Sequence, residues 1–128
     1  MPATVLVVDD DPVILKLLTV NFELEGYDVC AAVDGEDALR VARDRRPEVI
    51  VSDIMMPNLS GLDLLARLAA DAELAAIPVI LLSAKAQLDD VRAGLAAGAV
   101  DYVTKPFEPL DLLRRVEDAI AQNQKDQP

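Results

Sequence analysis

Two hydrophobic periods alternate along this chain of 128 residues, and that alternation limits the open architectures more than any other feature. Val5 to Val8, Asp28 to Ala31, Glu48 to Ser52, Val79 to Leu82 and Val100 to Thr104 are short runs rich in β-branched and aliphatic residues. Their length and near-continuous apolarity suit strands buried on both faces, as in a parallel sheet. Between them lie stretches with helical spacing, such as Ile14, Leu17, Leu18 and Phe22, then Leu62, Leu65, Leu68 and Ala69, then Leu88, Val91 and Leu95, then Leu113, Val116 and Ile120. These stripes are read as core. Asp11 and Pro12 suit the N-cap and first position of the first helix, and Gly26 would end it. Strand and helix alternating five times predict an α/β fold, βα repeated five times and doubly wound, with right-handed crossovers and helices on both faces. The polar stretch from Gln122 to Pro128 is expected to fray.

At 128 residues, one domain's worth of chain, and with 52% hydrophobic residues, the chain can bury one sizeable core, so a single folded domain is expected rather than a disordered or multi-domain chain. Its 23 acids against 12 bases leave a net charge of −11, which argues against direct binding to nucleic acid or to an anionic membrane surface. No apolar run approaches the roughly 18 residues that span a bilayer. The chain has no histidine, which excludes a histidine triad, a His-ligated metal and a phosphohistidine of its own. Cys30 stands alone, without a second thiol or an activating neighbour, and nothing at the N-terminus resembles a signal peptide. A reducing, cytoplasmic setting is expected.

In an open parallel sheet, ligands bind beyond the carboxyl ends of the strands. The first run ends in Asp9, Asp10 and Asp11, the third in Ser52 and Asp53, the fourth in Ser83, and the fifth in Thr104, Lys105 and Pro106. Carboxylates gathered at one sheet edge repel each other, and a hard divalent cation with oxygen ligands relieves them. Magnesium is the first choice, because the set has acids but no His or Cys and Mg²⁺ commonly completes its shell with phosphate oxygens. Lys105 adds a compact positive charge and Ser83 a donor, so the set suggests phosphoryl chemistry with an aspartate as acceptor.

The segments VLVVDDDP, SDIMMPNLSG, LLSAK and DYVTKPF resemble, in this order and spacing, the receiver domain of bacterial two-component response regulators. The resemblance runs from about Val5 to Ile120. It implies a flavodoxin-like five-stranded sheet in the order 2-1-3-4-5, with the receiver domain over residues 1–122 and a polar tail over 123–128. It also implies Asp53 as the phosphorylated nucleophile. Asp10 would ligate magnesium directly, Asp9 would act mainly through a water, and the Met55 backbone carbonyl would be a further ligand. Ser83 and Lys105 would contact the phosphoryl oxygens, with a cis Lys105–Pro106 bond aiming the lysine inward. A sensor histidine kinase or phosphotransfer protein would supply the phosphoryl group. Ser83 and Tyr102 would then move and remodel the face formed by helix 4, strand 5 and helix 5. Asp101 and Arg115 are the candidates for a pairing across a homodimer formed on that face, although Val91 and Val100 stand where such dimers often carry charge. Met55 and Lys85, beside the site, suggest a phosphoryl group that is not unusually short-lived.

Simpler roles stand beside these. Asp11 suits an N-cap better than a ligand, Tyr102 alone would be a half-buried strand residue, and Met55 and Met56 are packing or loop residues rather than sulfur ligands. A dinucleotide enzyme would want a glycine-rich turn where this chain has DDDP, and the P-loop sequence is absent. An aspartate-nucleophile phosphohydrolase would usually place an acid two residues after its nucleophile, where this chain has Met55. The serious alternative is a receiver-like module that binds proteins without being phosphorylated. The chain is expected to be either a free-standing regulator or a receiver cut from a larger protein.

Overall fold

The computed structural model describes residues 3–56, 59–84 and 88–126. The elements are β1 (Thr4–Val8), α1 (Pro12–Leu24), β2 (Asp28–Ala32), α2 (Gly35–Arg45), β3 (Val49–Asp53), α3 (Gly61–Ala69), β4 (Val79–Ala84), α4 (Leu88–Ala96), β5 (Asp101–Lys105) and α5 (Pro109–Asp126). All strand pairs are parallel and the sheet order is β2-β1-β3-β4-β5, the doubly wound, flavodoxin-like arrangement expected. β1, β3 and β4 lie inside the sheet, which is why their runs are apolar on both faces.

Alternation along each strand divides the core in two. Leu6, Val8, Ile50 and Leu81 face α2, α3 and α4, where they meet Ala38, Leu39, Leu64, Leu68 and Val91. Val5, Val7, Val49, Val51, Ile80, Leu82 and Val103 face the other way and pack on Leu18 and Phe22 of α1 and on Leu112 and Val116 of α5. Burying side chains of this size stabilises by roughly 1.5–3 kcal/mol each before the entropy of ordering them is subtracted.

Local signals set the helix ends. The Asp11 carboxylate accepts from the Val13 N–H at 2.9 Å, with Pro12 in the first turn. At the other end Gly26, at φ 91°, donates to the Glu23 carbonyl, while the Tyr27 N–H reaches back to Phe22. This is a Schellman cap, and the Tyr27 ring closes edge-on against Phe22 at 5.9 Å. α2 is capped by Asp34 and carries acids in its first turn and arginines in its last, matching the helix dipole.

Three expectations are corrected. Leu17 and Leu95, read as core, are exposed, because each sits on the outward side of its helix. Ala69 is also exposed. Residues 122–126, expected to fray, continue α5 as far as Asp126, since this segment has no glycine or proline and is rich in helix formers. Lys85 and the side chain of Leu88 lie outside the described residues. Among the described residues no helix is long and apolar enough to cross a membrane.

Candidate phosphoryl-acceptor site

Sheet register brings the strand-end residues together. Val8 of β1 pairs with Ser52 of β3, so the residues that follow them, Asp9 and Asp53, become lateral neighbours. Asp53 pairs with Leu82 of β4, which places Ser83 one step beyond it, and Ala84 pairs with Lys105 of β5. Residues as far apart in sequence as Asp9 and Lys105 thus meet at one edge.

One carboxylate oxygen from each of Asp9, Asp10 and Asp53 lies within 4.8 Å of the others. Asp9 is fully buried, Asp53 is 7% exposed and Asp10 faces solvent. Lys105 stands between the two buried acids, its Nζ 3.1 Å from Asp9 Oδ2 and 3.3 Å from Asp53 Oδ2. The other Asp9 oxygen accepts from the Asp11 N–H at 2.9 Å, so Asp9 is held from two sides.

Burial pushes the Asp53 carboxyl above its ordinary range; Lys105 opposes this, Asp9 reinforces it, and hydrogen bonds from Lys105 and the Met55 N–H lower it in part. Burial alone would pull Lys105 down, but Asp53 and Asp9 outweigh it and its pKa is raised. The result is a crowded, partly desolvated carboxylate cluster with the Lys105 ammonium among its acids. Such a donor set fits a small oxygen-seeking divalent cation: three carboxylates at short range, one of them solvent-facing, with no nitrogen or sulfur ligand.

The neighbouring candidates are placed as follows. Ser83 is buried and its hydroxyl donates to the Ala84 carbonyl at 2.9 Å. Lys105–Pro106 is a cis peptide. Met55 is exposed at the rim, while Met56 packs against the α3-side core. Tyr102 is half-buried against that same core, and its carbonyl accepts from Arg115 at 3.3 Å. Asp101 and Arg115 do meet, but within one chain, at 2.7 Å, and Arg115 also binds Asp111 at 3.0 Å. Asp11 is a cap and not one of the gathered acids.

Sequence reading missed a row of exposed side chains beside the site. Val13, Leu17, Val20 and Leu24 lie on the outer face of α1, between 43% and 78% exposed. Their spacing of four, three and four residues was the available signal, since it marks a stripe distinct from the buried Leu18 and Phe22.

The chain matches the response regulator receiver domain over residues 5–117 and belongs to that family, the phosphorylation-activated switch of two-component signalling. It is 40% identical to the DNA-binding response regulator MtrA of Mycolicibacterium smegmatis, an alignment covering 100% of this chain and 54% of that protein. Against the DNA-binding dual master transcriptional regulator RpaA of Synechocystis it is 42% identical, covering 88% of this chain and 46% of the relative. The chain therefore spans about half the length of these curated relatives. Among solved structures, the receiver domain of Francisella response regulator 1452 superposes with a TM-score of 0.85 at 38% identity, covering 94% of this chain and 98% of that one. The chemotaxis response regulator CheY4 of Vibrio cholerae gives 0.86 at 30% identity, with 93% and 99% covered.

Proposed function

We propose that this chain takes a phosphoryl group from the phosphohistidine of a sensor histidine kinase or phosphotransfer protein onto Asp53, in a reaction that requires Mg²⁺. The observation that carries this reading is the cluster of Asp9, Asp10 and Asp53 oxygens within 4.8 Å, with the Lys105 ammonium 3.3 Å from Asp53. An Asp53 oxygen attacks phosphorus, the phosphorus–nitrogen bond to the donor imidazole breaks, and the ring nitrogen keeps that electron pair. Asp9, Asp10, Asp53 and the Met55 backbone carbonyl would hold the ion. When bound, Mg²⁺ supplies charge neutralisation of the carboxylates and the phosphoryl oxygens. Lys105 is close enough to Asp53 to stabilise charge on the transferred group, and Ser83 supplies a hydroxyl beside it, so catalysis consists of positioning and electrostatics.

The donor has to approach along the acidic edge, and α1 starts there. Its exposed row Val13, Leu17, Val20 and Leu24 suits packing against a partner helix, which is how the donor would be steadied over Asp53. Phosphorylation would draw Ser83 and Tyr102 toward new positions and alter the α4–β5–α5 face for partner binding or homodimerisation. A sensor histidine kinase as phosphoryl donor would put the chain in the cytoplasm. Direct contact with DNA is not assigned to this chain, whose charge of −11 would repel the phosphate backbone.

Incubation with acetyl phosphate and Mg²⁺, followed by intact mass, tests the reading. The expected result is one labile phosphoryl adduct, absent without Mg²⁺ and absent in Asp53→Asn. No adduct on the unaltered chain would instead favour a phosphorylation-independent binding module.

A further inference from the structure

Five glycines occur in the chain, and two of them sit in left-handed backbone where their freedom is needed, at Gly26 and Gly98. Gly35 and Gly61 do not. Each is the first residue of a helix, α2 and α3 respectively, in backbone that any residue adopts, and both are buried. Glycine is a poorer helix former than alanine, so local conformation gives no reason for it at either place.

The reason is contact. A Cβ on Gly61 would lie 2.5 Å from the Asp53 carbonyl oxygen and 2.9 Å from the Ile54 Cα. A Cβ on Gly35 would lie 2.7 Å from both the Leu59 carbonyl oxygen and its Cδ2. Ordinary contact begins near 3.4 Å, so backbone would have to move in both cases. Gly94 is different, because the nearest atoms there are the side-chain ends of Leu81 and Leu62, which can swing aside. Two helix starts therefore press on described residues on this side of the sheet, Gly61 on the Asp53–Ile54 backbone at the end of β3 and Gly35 on Leu59 just before α3. Gly61 also donates to the Ile54 carbonyl at 2.8 Å, and the reciprocal Ser60–Asp63 cap fixes where α3 begins. Ile54 and Leu59 are buried in the core between them.

This connection carries Met55, whose backbone N–H donates to the Asp53 carboxylate. We infer that Gly35 and Gly61 are positioning residues: their bare Cα atoms let α3 clamp the Asp53–Ile54 backbone and α2 clamp Leu59, so that the Met55 backbone N–H stays on the Asp53 carboxylate and its carbonyl keeps the place the proposed function gives it. This rests on the phosphoryl-acceptor reading of Asp53. A methyl group at Gly61 has to displace the Asp53–Ile54 backbone, directly before Met55, by roughly 1 Å to reach ordinary contact, a misplacement that can cost about 10²-fold in rate.

The test compares Gly61→Ala, Gly35→Ala and Leu68→Ala, the last removing a buried side chain near the opposite end of α3. Thermal unfolding, Mg²⁺ titration by calorimetry with the metal alone, and the rate of acetyl phosphate labelling are read on each. The clamp predicts labelling slowed on the order of 10- to 100-fold in Gly61→Ala, a smaller loss in Gly35→Ala, and weaker Mg²⁺ binding in both. Leu68→Ala should lose stability while keeping its Mg²⁺ affinity and rate. If Gly61→Ala does not fold, Gly35→Ala carries the test. Glycine variants that match the unaltered chain in metal affinity and rate, or lose no more of either than Leu68→Ala, overturn the clamp. Absence of labelling in the unaltered chain defeats the Asp53 reading instead, and the metal titration still decides the clamp.

Discussion

Asp9 is a carboxylate with no exposed surface, and the partly buried Lys105 ammonium is its counter-charge. Replacing Lys105 by Met leaves Asp9 without that partner, a change that typically costs about 3–5 kcal/mol when a buried pair is broken. In urea unfolding with a chelator present, Lys105→Met should lose a comparable amount, and Mg²⁺ should restore more stability to the variant than to the unaltered chain. Equal gains in both would contradict the role given to Lys105. Cys30, on β2, makes an independent prediction. Burial pushes its thiol above the ordinary 9.0, partly offset by Arg45. A group whose folded pKa is raised contributes stability that is complete below the unfolded value and is lost as pH rises through the folded one. Stability should therefore fall in the alkaline range, and Cys30→Val should flatten part of that fall in chemical unfolding followed against pH. Most of the gathered residues were legible because they end strands: Asp9, Asp53, Ser83 and Lys105 each follow or close an apolar run. What was not legible is that Asp9 is buried while Asp10 faces water, since neighbouring acids point to opposite sides and only the register with β3 decides which turns inward.

Among the elements, α1 was read half correctly. Phe22 and Leu18 do face the core, but Leu17 belongs to the outward row with Val13, Val20 and Leu24. Periodicity alone could not separate the two, because both stripes are apolar and only the partner surface distinguishes them. The outward row makes a prediction: Leu17→Glu should change stability little, while slowing transfer from a phosphohistidine donor by about tenfold or more, the scale of an interface hot spot. Labelling by acetyl phosphate, which needs no helix contact, should be unaffected; an equal loss with both donors would place the defect in the site itself. α2 was hard to see for the opposite reason, as its buried stripe is mainly small, Ala38, Leu39 and Ala42. Its cap is a stronger signal than its stripe, and Asp34→Ala should cost about 1 kcal/mol in chemical unfolding.

For the whole molecule, the sheet order follows from alternation plus crossover handedness only in class; 2-1-3-4-5 came from the family resemblance and is the observed order. The α4–β5–α5 face is where assembly would occur. Arg115 binds Asp101 and Asp111 within one chain, and partly exposed pairs of this kind contribute little, so exchanging them for contacts with a second copy costs little. Sedimentation with a beryllofluoride phosphate mimic should show the mass of a dimer, lost in Arg115→Ala. A monomer under both conditions would refute the proposed assembly.

The division of the core by the sheet also makes β4 a two-sided gauge. Leu81 and Leu82 are adjacent in sequence, yet Leu81 packs into the core on the side shared with α2, α3 and α4, and Leu82 into the core on the side shared with α1 and α5. Both are fully buried and lie just before Ser83. In a sample with isotopically labelled leucine methyl groups, these two residues would report separately on the two halves of the interior. A signal entering at Asp53 could then be assigned to one half or the other by which neighbour's resonance moves.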